Sequence, residues 1–385
     1  MPNFKHLELS NLNEFYHLYL YAFNRQDSEY RRKFFTARYK MAHCYGLVDN
    51  EKLLSGMYAL PFTARLHERD YKAAGIGDVM TYPEAGGRGY ATKMLQKALH
   101  ELHEDDYALA YLAPFSSQFY RRLGFEDVFQ KHAAKVFSRD IHQLNLDRFT
   151  GKVERGTIPE NVAVLQKLYQ PKNGMIYRTA EWWNYLALKI GWKTAIYYNA
   201  AGAPEGYILY ELEQKMHIQE WVCASSDAYF GLASFITGHS SVVEEIDFDF
   251  VDDNFSALFA EPAVVQQDIQ PYMMARIVNV EQFLQNYDYL SNFDQVRVKV
   301  VDRVLPANGG VYLLSRKNGQ NTVEHSNDGD LDLAISVNEL TALMLGAHDL
   351  EWAKFHRSLD IQNREAAMDW GRSLRREKPE IRDYF

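Results

Sequence analysis

Apolar and polar positions along the chain change their period several times, and those changes predict its elements. From Leu12 to Phe23 apolar side chains recur at helical spacing, with Ser10 or Asn11 placed to cap the first turn. Ala42–Val48 and Leu53–Phe62 read as strands, as does Ile76–Tyr82, which Pro83 ends. A helix is predicted over Gly89–His103, because Tyr90, Met94, Leu95, Ala98, Leu99 and Leu102 fall on one face. Tyr107–Leu112 is a buried strand closed by Pro114. Ser117–Leu123 is a short helix stopped by Gly124, and another strand follows Phe125.

Between about residues 141 and 165 the composition shifts and turn signals accumulate, so a first domain over 1–145 gives way to a second over 146–270. Tyr207–Leu212, His217–Cys223, the helix Asp227–Thr237 and Val242–Val251 run strand, strand, helix, strand. Residues 55–112 have that same order, so the second domain is expected to be a degenerate copy of the first. It lacks the glycines that join strand to helix in the first copy; Ala224-Ser225-Ser226-Asp227 stands there, and a ligand site is not expected. A third domain, 271–385, carries strands at Met274–Val280, Val296–Val301, Val311–Ser315, Thr322–His325 and Leu331–Ser336. Helices are predicted at Val337–Leu345 and Arg364–Arg376, an α+β pattern.

Composition narrows the classes. With 385 residues the chain can bury several cores without staples. Forty-two Lys and Arg against 51 Asp and Glu leave a net charge of −9, which repels phosphate backbones and argues against nucleic acid as partner. Cys44 and Cys223 are too few for a disulfide framework or a zinc site, and they suit a reducing compartment. No apolar run is long enough for a membrane span, and the first residues lack the pattern of a secretion signal, so a cytoplasmic protein is expected. His100-Glu101-Leu102-His103 has the wrong spacing for a metalloprotease helix, and no metal is expected. Glu245, Asp247 and Asp249 alternate with apolar residues as on a half-buried strand; an acidic wall drawing polyamines is the functional alternative.

The sharpest chemical signal is the turn after Ile76–Tyr82, where Gly86, Gly87 and Gly89 lead into an amphipathic helix. Glycines let a ligand lie against backbone, and the first amides of a helix have no internal acceptor. A pyrophosphate suits such a place, with Arg88 to add charge. Taken alone, the turn is equally an ordinary passage from strand to helix. Downstream, Phe119-Tyr120 and Gly124-Phe125 complete a Phe-Tyr-x-x-x-Gly-Phe pattern. The pair of motifs resembles the GNAT superfamily of acetyl-coenzyme A-dependent N-acetyltransferases. Its loop usually begins with Gln or Arg where this chain has Gly86. The whole layout, with Tyr272–Val280, Leu331–Ile335 and the ending Asp383-Tyr384-Phe385, resembles the enhanced intracellular survival (Eis) proteins.

That resemblance implies tandem GNAT-like mixed-sheet domains, the first catalytic, and then a sterol-carrier-like α+β domain. It implies acetyl-coenzyme A held by Val79, Met80 and Thr81, by Gly87, Arg88, Gly89, Tyr90, Ala91 and Thr92, and by Phe115 and Ser116. It implies Tyr120 as the acid that protonates the departing thiolate and the Phe385 carboxylate as the base. Asp78 is a rival base, and plain docking of the last residues is the alternative for Phe385. The acceptor would be an aminoglycoside, a polyamine or a lysine side chain, and self-association is expected. A lipid-binding carrier with a vestigial first domain is the competing reading.

Overall fold

β1 (Asn3–Leu7), α1 (Leu12–Ala22), α2 (Glu29–Met41), β2 (His43–Asp49), β3 (Lys52–Leu66) and β4 (Arg69–Thr81) open the chain in the computed structural model, which describes residues 3–385. α3 (Tyr90–Glu104), β5 (Leu109–Leu112) and α4 (Ser117–Arg121) follow. β1 to β4 pair antiparallel in order, and β5 joins β4 in parallel, which makes α3 the crossover. α3 buries Met94, Leu95, Ala98, Leu99 and Leu102, the face that the periodicity marks. β3 and β4 are longer than their alternation suggests and turn through His67 and Glu68 at φ 45° and 64°. α2 has no clear stripe in the sequence, because a buried arginine, Arg38, shares its inner face with Phe34, Phe35 and Tyr39.

β6 (Glu126–Phe137), β7 (Lys152–Thr157), α5 (Ile158–Leu168), α6 (Ala180–Ile190), β8 (Lys193–Tyr198), β9 (Pro204–Leu212), β10 (Met216–Cys223), α7 (Ser226–Thr237) and β11 (Glu245–Asp249) come next. Their strands form the order β6-β11-β10-β9-β8-β7. β9–β10 is antiparallel and β10–β11 parallel across α7, the same pattern as β3, β4, α3 and β5. The fold of the first domain thus recurs. Trp182, Trp183 and Tyr197 are core residues, and the carboxylates of β11 face cations. Lys135 pairs with Glu245 at 3.0 Å, Lys131 with Asp249 at 2.6 Å, and Lys215 with Asp247.

The last part comprises β12 (Gln266–Ile277), α8 (Val280–Asn286), β13 (Phe293–Val301), β14 (Gly310–Lys317), β15 (Gln320–Ser326), β16 (Leu333–Ser336), α9 (Val337–Leu345), α10 (Leu350–Phe355), β17 (Leu359–Ile361) and α11 (Arg364–Ser373). A five-stranded sheet runs β15-β14-β13-β16-β17. β12 pairs with β5 through Met274–Ile277.

By its contacts the chain divides into two compact units. One holds the residues up to Phe129, Pro171–Tyr177 and Pro271–Phe385; the other holds Gln130–Gln170 and Arg178–Gln270. The first unit joins the two ends of the sequence because they share one core: Met274, Val278, Val304 and Leu305 pack with Met94, Leu112, Tyr120 and Phe125. The tip of the β3–β4 hairpin is fixed in the same way. The His67 amide donates to Asn173 Oδ1 at 3.0 Å, and His67 Nε2 lies 3.1 Å from the Met344 carbonyl oxygen. Among the described residues no helix is long and apolar enough to cross a membrane, and no group of three or more His, Cys, Asp or Glu is placed to hold a metal ion.

Candidate active site

β4 and β5 pair only from Ala73–Leu109 to Ile76–Leu112. β4 then continues to Thr81 while the chain after β5 turns away, so one edge of β4 runs on without a strand partner. Just past the last pair, β4 carries an extra residue. Gly56 faces Met80 and Tyr58 faces Gly77, which leaves a bulge at Asp78 and Val79, with Asp78 at φ 46°. Such a bulge bends a strand and takes backbone groups out of the ladder. On its paired side β4 is pinned by Ser55. The Ser55 hydroxyl donates to the Met80 carbonyl at 2.7 Å and lies 2.8 Å from the Thr81 hydroxyl. Nothing in the alternation of the sequence singles out Ser55.

The glycine turn lies at the end of this strand. Gly87 and Gly89 adopt φ 70° and 72°, and a Cβ at either would meet nothing within 4 Å. Gly89 is the N-cap of α3, no side chain caps the helix, and its first turn holds no acidic residue. The amides of Tyr90, Ala91 and Thr92 therefore lack an intrahelical acceptor beside an open, exposed turn, and the Arg88 side chain is exposed next to them. An anionic group fits this donor set.

Tyr120 stands on α4, whose N-cap Ser116 accepts from the Phe119 amide at 3.3 Å. Its ring is 2% exposed and lies edge-on to Phe119 and to Phe115, which is itself 70% exposed. Burial, and after it Tyr384, push the Tyr120 hydroxyl above the usual phenol range, so it keeps its proton at neutral pH. Tyr384 is raised by burial and then by the negative charge of Asp78. The tail thus comes close enough to feel both residues. Phe385 is 4% exposed, and its ring meets Phe62 with centroids 5.3 Å apart. The ring lies against Gly75, where a Cβ would sit 2.8 Å from Phe385 Cε2. Nothing in the sequence marks Gly75 for this contact beyond its being a glycine inside a strand.

Asp78 accepts from Arg38, and both side chains are nearly buried. The Arg38 guanidinium lies 4.5 Å from the Tyr58 ring centroid and 5.4 Å from that of Phe35. The second unit holds a similar arrangement. β10 bulges between Ile218 and Glu220, Glu220 pairs with Arg178 at 2.5 Å, and Tyr207 on β9 donates to Glu220 at 2.8 Å. Arg178 lies over Tyr169 and Trp183 at 4.5 and 4.6 Å.

In the second unit, side chains stand at the corresponding strand end and helix start. Past the last β10–β11 pair, Trp221 stacks on Tyr229 at 5.1 Å and on Phe248 at 6.2 Å. α7 is capped by Ser225, and Asp227 in its first turn accepts from Tyr197 and Thr150. A helix start that already carries a carboxylate repels a phosphate.

Comparisons with known proteins agree with this geometry. Residues 3–128 match the acetyltransferase (GNAT) domain, residues 174–277 match an acetyltransferase (GNAT) domain again, and residues 280–379 match the sterol carrier protein domain. No curated protein matches the chain. Among solved structures, a protein of unknown function from Enterococcus faecalis, described as a probable N-acyltransferase, is 28% identical over 100% of both chains with a TM-score of 0.94. A GCN5-related N-acetyltransferase from Anabaena variabilis is 21% identical, again over 100% of both chains, with a TM-score of 0.88. Eis1 from Mycobacterium abscessus is 16% identical over 100% of both chains with a TM-score of 0.80. The last two likenesses establish the fold.

Proposed function

We propose that this chain, an N-acetyltransferase with two GNAT domains ahead of a sterol carrier protein domain, moves the acetyl group of acetyl-coenzyme A directly onto an amine. The observation that carries the reading is the convergence of Tyr120, Tyr384 and Phe385 on β4, beside an uncapped helix start flanked by open glycines. Acetyl-coenzyme A bound in that groove supplies an activated thioester. The backbone of Val79, Met80 and Thr81 would hold its amide-bearing arm. Gly87, Arg88, Gly89, Tyr90, Ala91 and Thr92 would hold its phosphates, and Phe115 and Ser116 would line the facing wall.

The acceptor arrives as an ammonium ion. The Phe385 carboxylate takes one proton from it, leaving a nitrogen lone pair free to attack the carbonyl carbon. As the C–N bond forms and the C–S bond breaks, the Tyr120 hydroxyl gives its proton to the departing sulfur, the surplus proton left on the new amide nitrogen restores that hydroxyl, and the Phe385 carboxyl group returns its proton to solvent. Asp78 is not the base in this reading. A carboxylate held by a guanidinium favours its ionised form and accepts protons poorly. The recurrence of the pair as Glu220 and Arg178, in a unit whose helix start is capped by side chains, supports a structural role for it.

The reading assigns catalysis to residues 1–145, a degenerate copy of that domain to 146–270, and to 271–385 the task of presenting the tail. The amine is of the aminoglycoside, polyamine or lysine type. The protein works in the cytoplasm and self-associates. The test is thiol release from acetyl-coenzyme A against a panel of amines, on protein shown by intact mass to end at Phe385. Extending the chain past Phe385 by a few residues should abolish turnover and spare acetyl-coenzyme A binding. Full turnover by the extended protein would sink the carboxylate as base.

A further inference from the structure

α4 has only five residues, far fewer than a helix needs to persist by itself. It nevertheless carries Tyr120, so something else must set its position. Its N-terminal end is held locally, by the Ser116 cap and by a 2.9 Å bond from the Ser117 hydroxyl to Asp127. Its C-terminal end is held from far along the chain. The Asn338 side-chain amide, on the first turn of α9, donates to the Arg121 carbonyl at 3.0 Å and to the Phe125 carbonyl at 2.7 Å. Arg276, at the end of β12, is wholly buried and donates to the Leu123 carbonyl between those two.

Arg276 is fixed in turn. It forms a 2.5 Å ion pair with Asp302, which also accepts from the amides of Val304 and Leu305 at 2.9 and 3.0 Å and from the Asn308 side chain at 3.0 Å. The glycine of the Phe-Tyr-x-x-x-Gly-Phe pattern gains a physical reason here. Gly124 sits at φ 84°, and a Cβ on it would lie 2.0 Å from Arg276 Nη1. The turn after Tyr120 is therefore shaped to receive a guanidinium from the third segment.

We propose that Arg276 and Asn338 are positioning residues for Tyr120, clamping the end of α4 so that the sterol carrier domain sets where the proton donor stands. The proposal rests on the reading of Tyr120 as the acid. It gives the third domain two routes to the reaction: the tail that ends in Phe385, and this clamp.

The test is a double-mutant cycle. Asn338→Ala removes two hydrogen bonds without changing charge. In the folded protein kcat should fall by roughly 10-fold, since about 1 Å of misplacement at a reacting group costs up to 100-fold. KM for acetyl-coenzyme A should hold. Asn338→Leu, a similar shape without the donor, should behave alike. In a Tyr120→Phe background Asn338→Ala should cost nothing further, because there is no acid left to misplace; general loosening of the fold would cost the same in both backgrounds. Arg276→Lys should retain more activity than Arg276→Met, and if the Met variant does not fold the Asn338 cycle decides alone. Wild-type kcat for Asn338→Ala, or equal losses in both backgrounds, overturns the clamp while Tyr120→Phe stays impaired. A fully active Tyr120→Phe enzyme overturns the acid assignment and the clamp with it.

Discussion

One methyl group at Gly75 tests whether the seat of the last residue controls the reaction. A Cβ there would lie 2.7 Å from Phe62 Cε2, 2.8 Å from Phe385 Cε2 and 2.9 Å from Phe385 Cδ2. Carbon atoms prefer about 3.5–4.0 Å, so each ring must retreat by roughly 1 Å. A displacement of about 1 Å at a reacting group costs up to roughly 100-fold, or about 2.7 kcal/mol of barrier. Crowding itself costs about 1–3 kcal/mol of stability, which thermal unfolding measures separately. Steady-state thiol release at saturating acetyl-coenzyme A should therefore show kcat of Gly75→Ala down by roughly 10- to 100-fold, with KM for acetyl-coenzyme A little changed. Phe385→Ala removes the ring but keeps the carboxylate. In that background Gly75→Ala should cost less than about 3-fold, because the ring it would push is gone. Wild-type kcat in a folded Gly75→Ala protein whose crystal structure shows Phe385 displaced would refute the role given to the tail.

Four other outcomes follow from the same structure. Tyr120→Phe should lower kcat by about 10²–10⁴-fold without raising KM for acetyl-coenzyme A. In the wild type, burial and then Tyr384 hold the Tyr120 hydroxyl above the usual phenol range, so any alkaline limb due to this acid should lie beyond the pH at which an ordinary phenol titrates. Asp78→Asn should destabilise the fold by about 3–5 kcal/mol in denaturant titration, because it strands Arg38 among rings, and the acidic limb of the pH profile should survive. Loss of that limb would identify Asp78 as the base. Gly89→Val forces a branched residue to φ 72°, at about 1–2 kcal/mol or more, and should raise KM for acetyl-coenzyme A by roughly 10-fold or more. His67 is lowered by burial from 6.5 to about 4, so it folds neutral and contributes its full stability above pH 6.5. That contribution should drain away between pH 6.5 and about 4, by about 3 kcal/mol, and His67→Gln should flatten the slope in pH-dependent unfolding.

Much of the fold was legible because its signals are local. The stripe on α3, the glycines before it and the short helix stopped at Gly124 need only neighbours in sequence, and each lies where the pattern puts it. The repeat was legible as an order of elements. α2, α5 and α6 were not predicted. In α2 the inner face includes an arginine, which becomes tolerable only when Asp78, 40 residues away, supplies the opposite charge. The same reason hid Ser55, Gly75, Arg276 and Asn338. Each is an ordinary residue until a distant strand, ring or carbonyl is brought against it.

By itself, then, the sequence determined where glycines leave the start of a helix open and which tyrosine sits in the Phe-Tyr-x-x-x-Gly-Phe pattern, because glycine conformation, helix ends and a seven-residue pattern are properties of short stretches. Only the tertiary structure decided that the chain's last residues return to β4, that Asp78 is tied up with Arg38, and that the turn after Tyr120 is held by the third segment. Those are long-range contacts, created by one shared core, and no local pattern of apolar and polar residues encodes them.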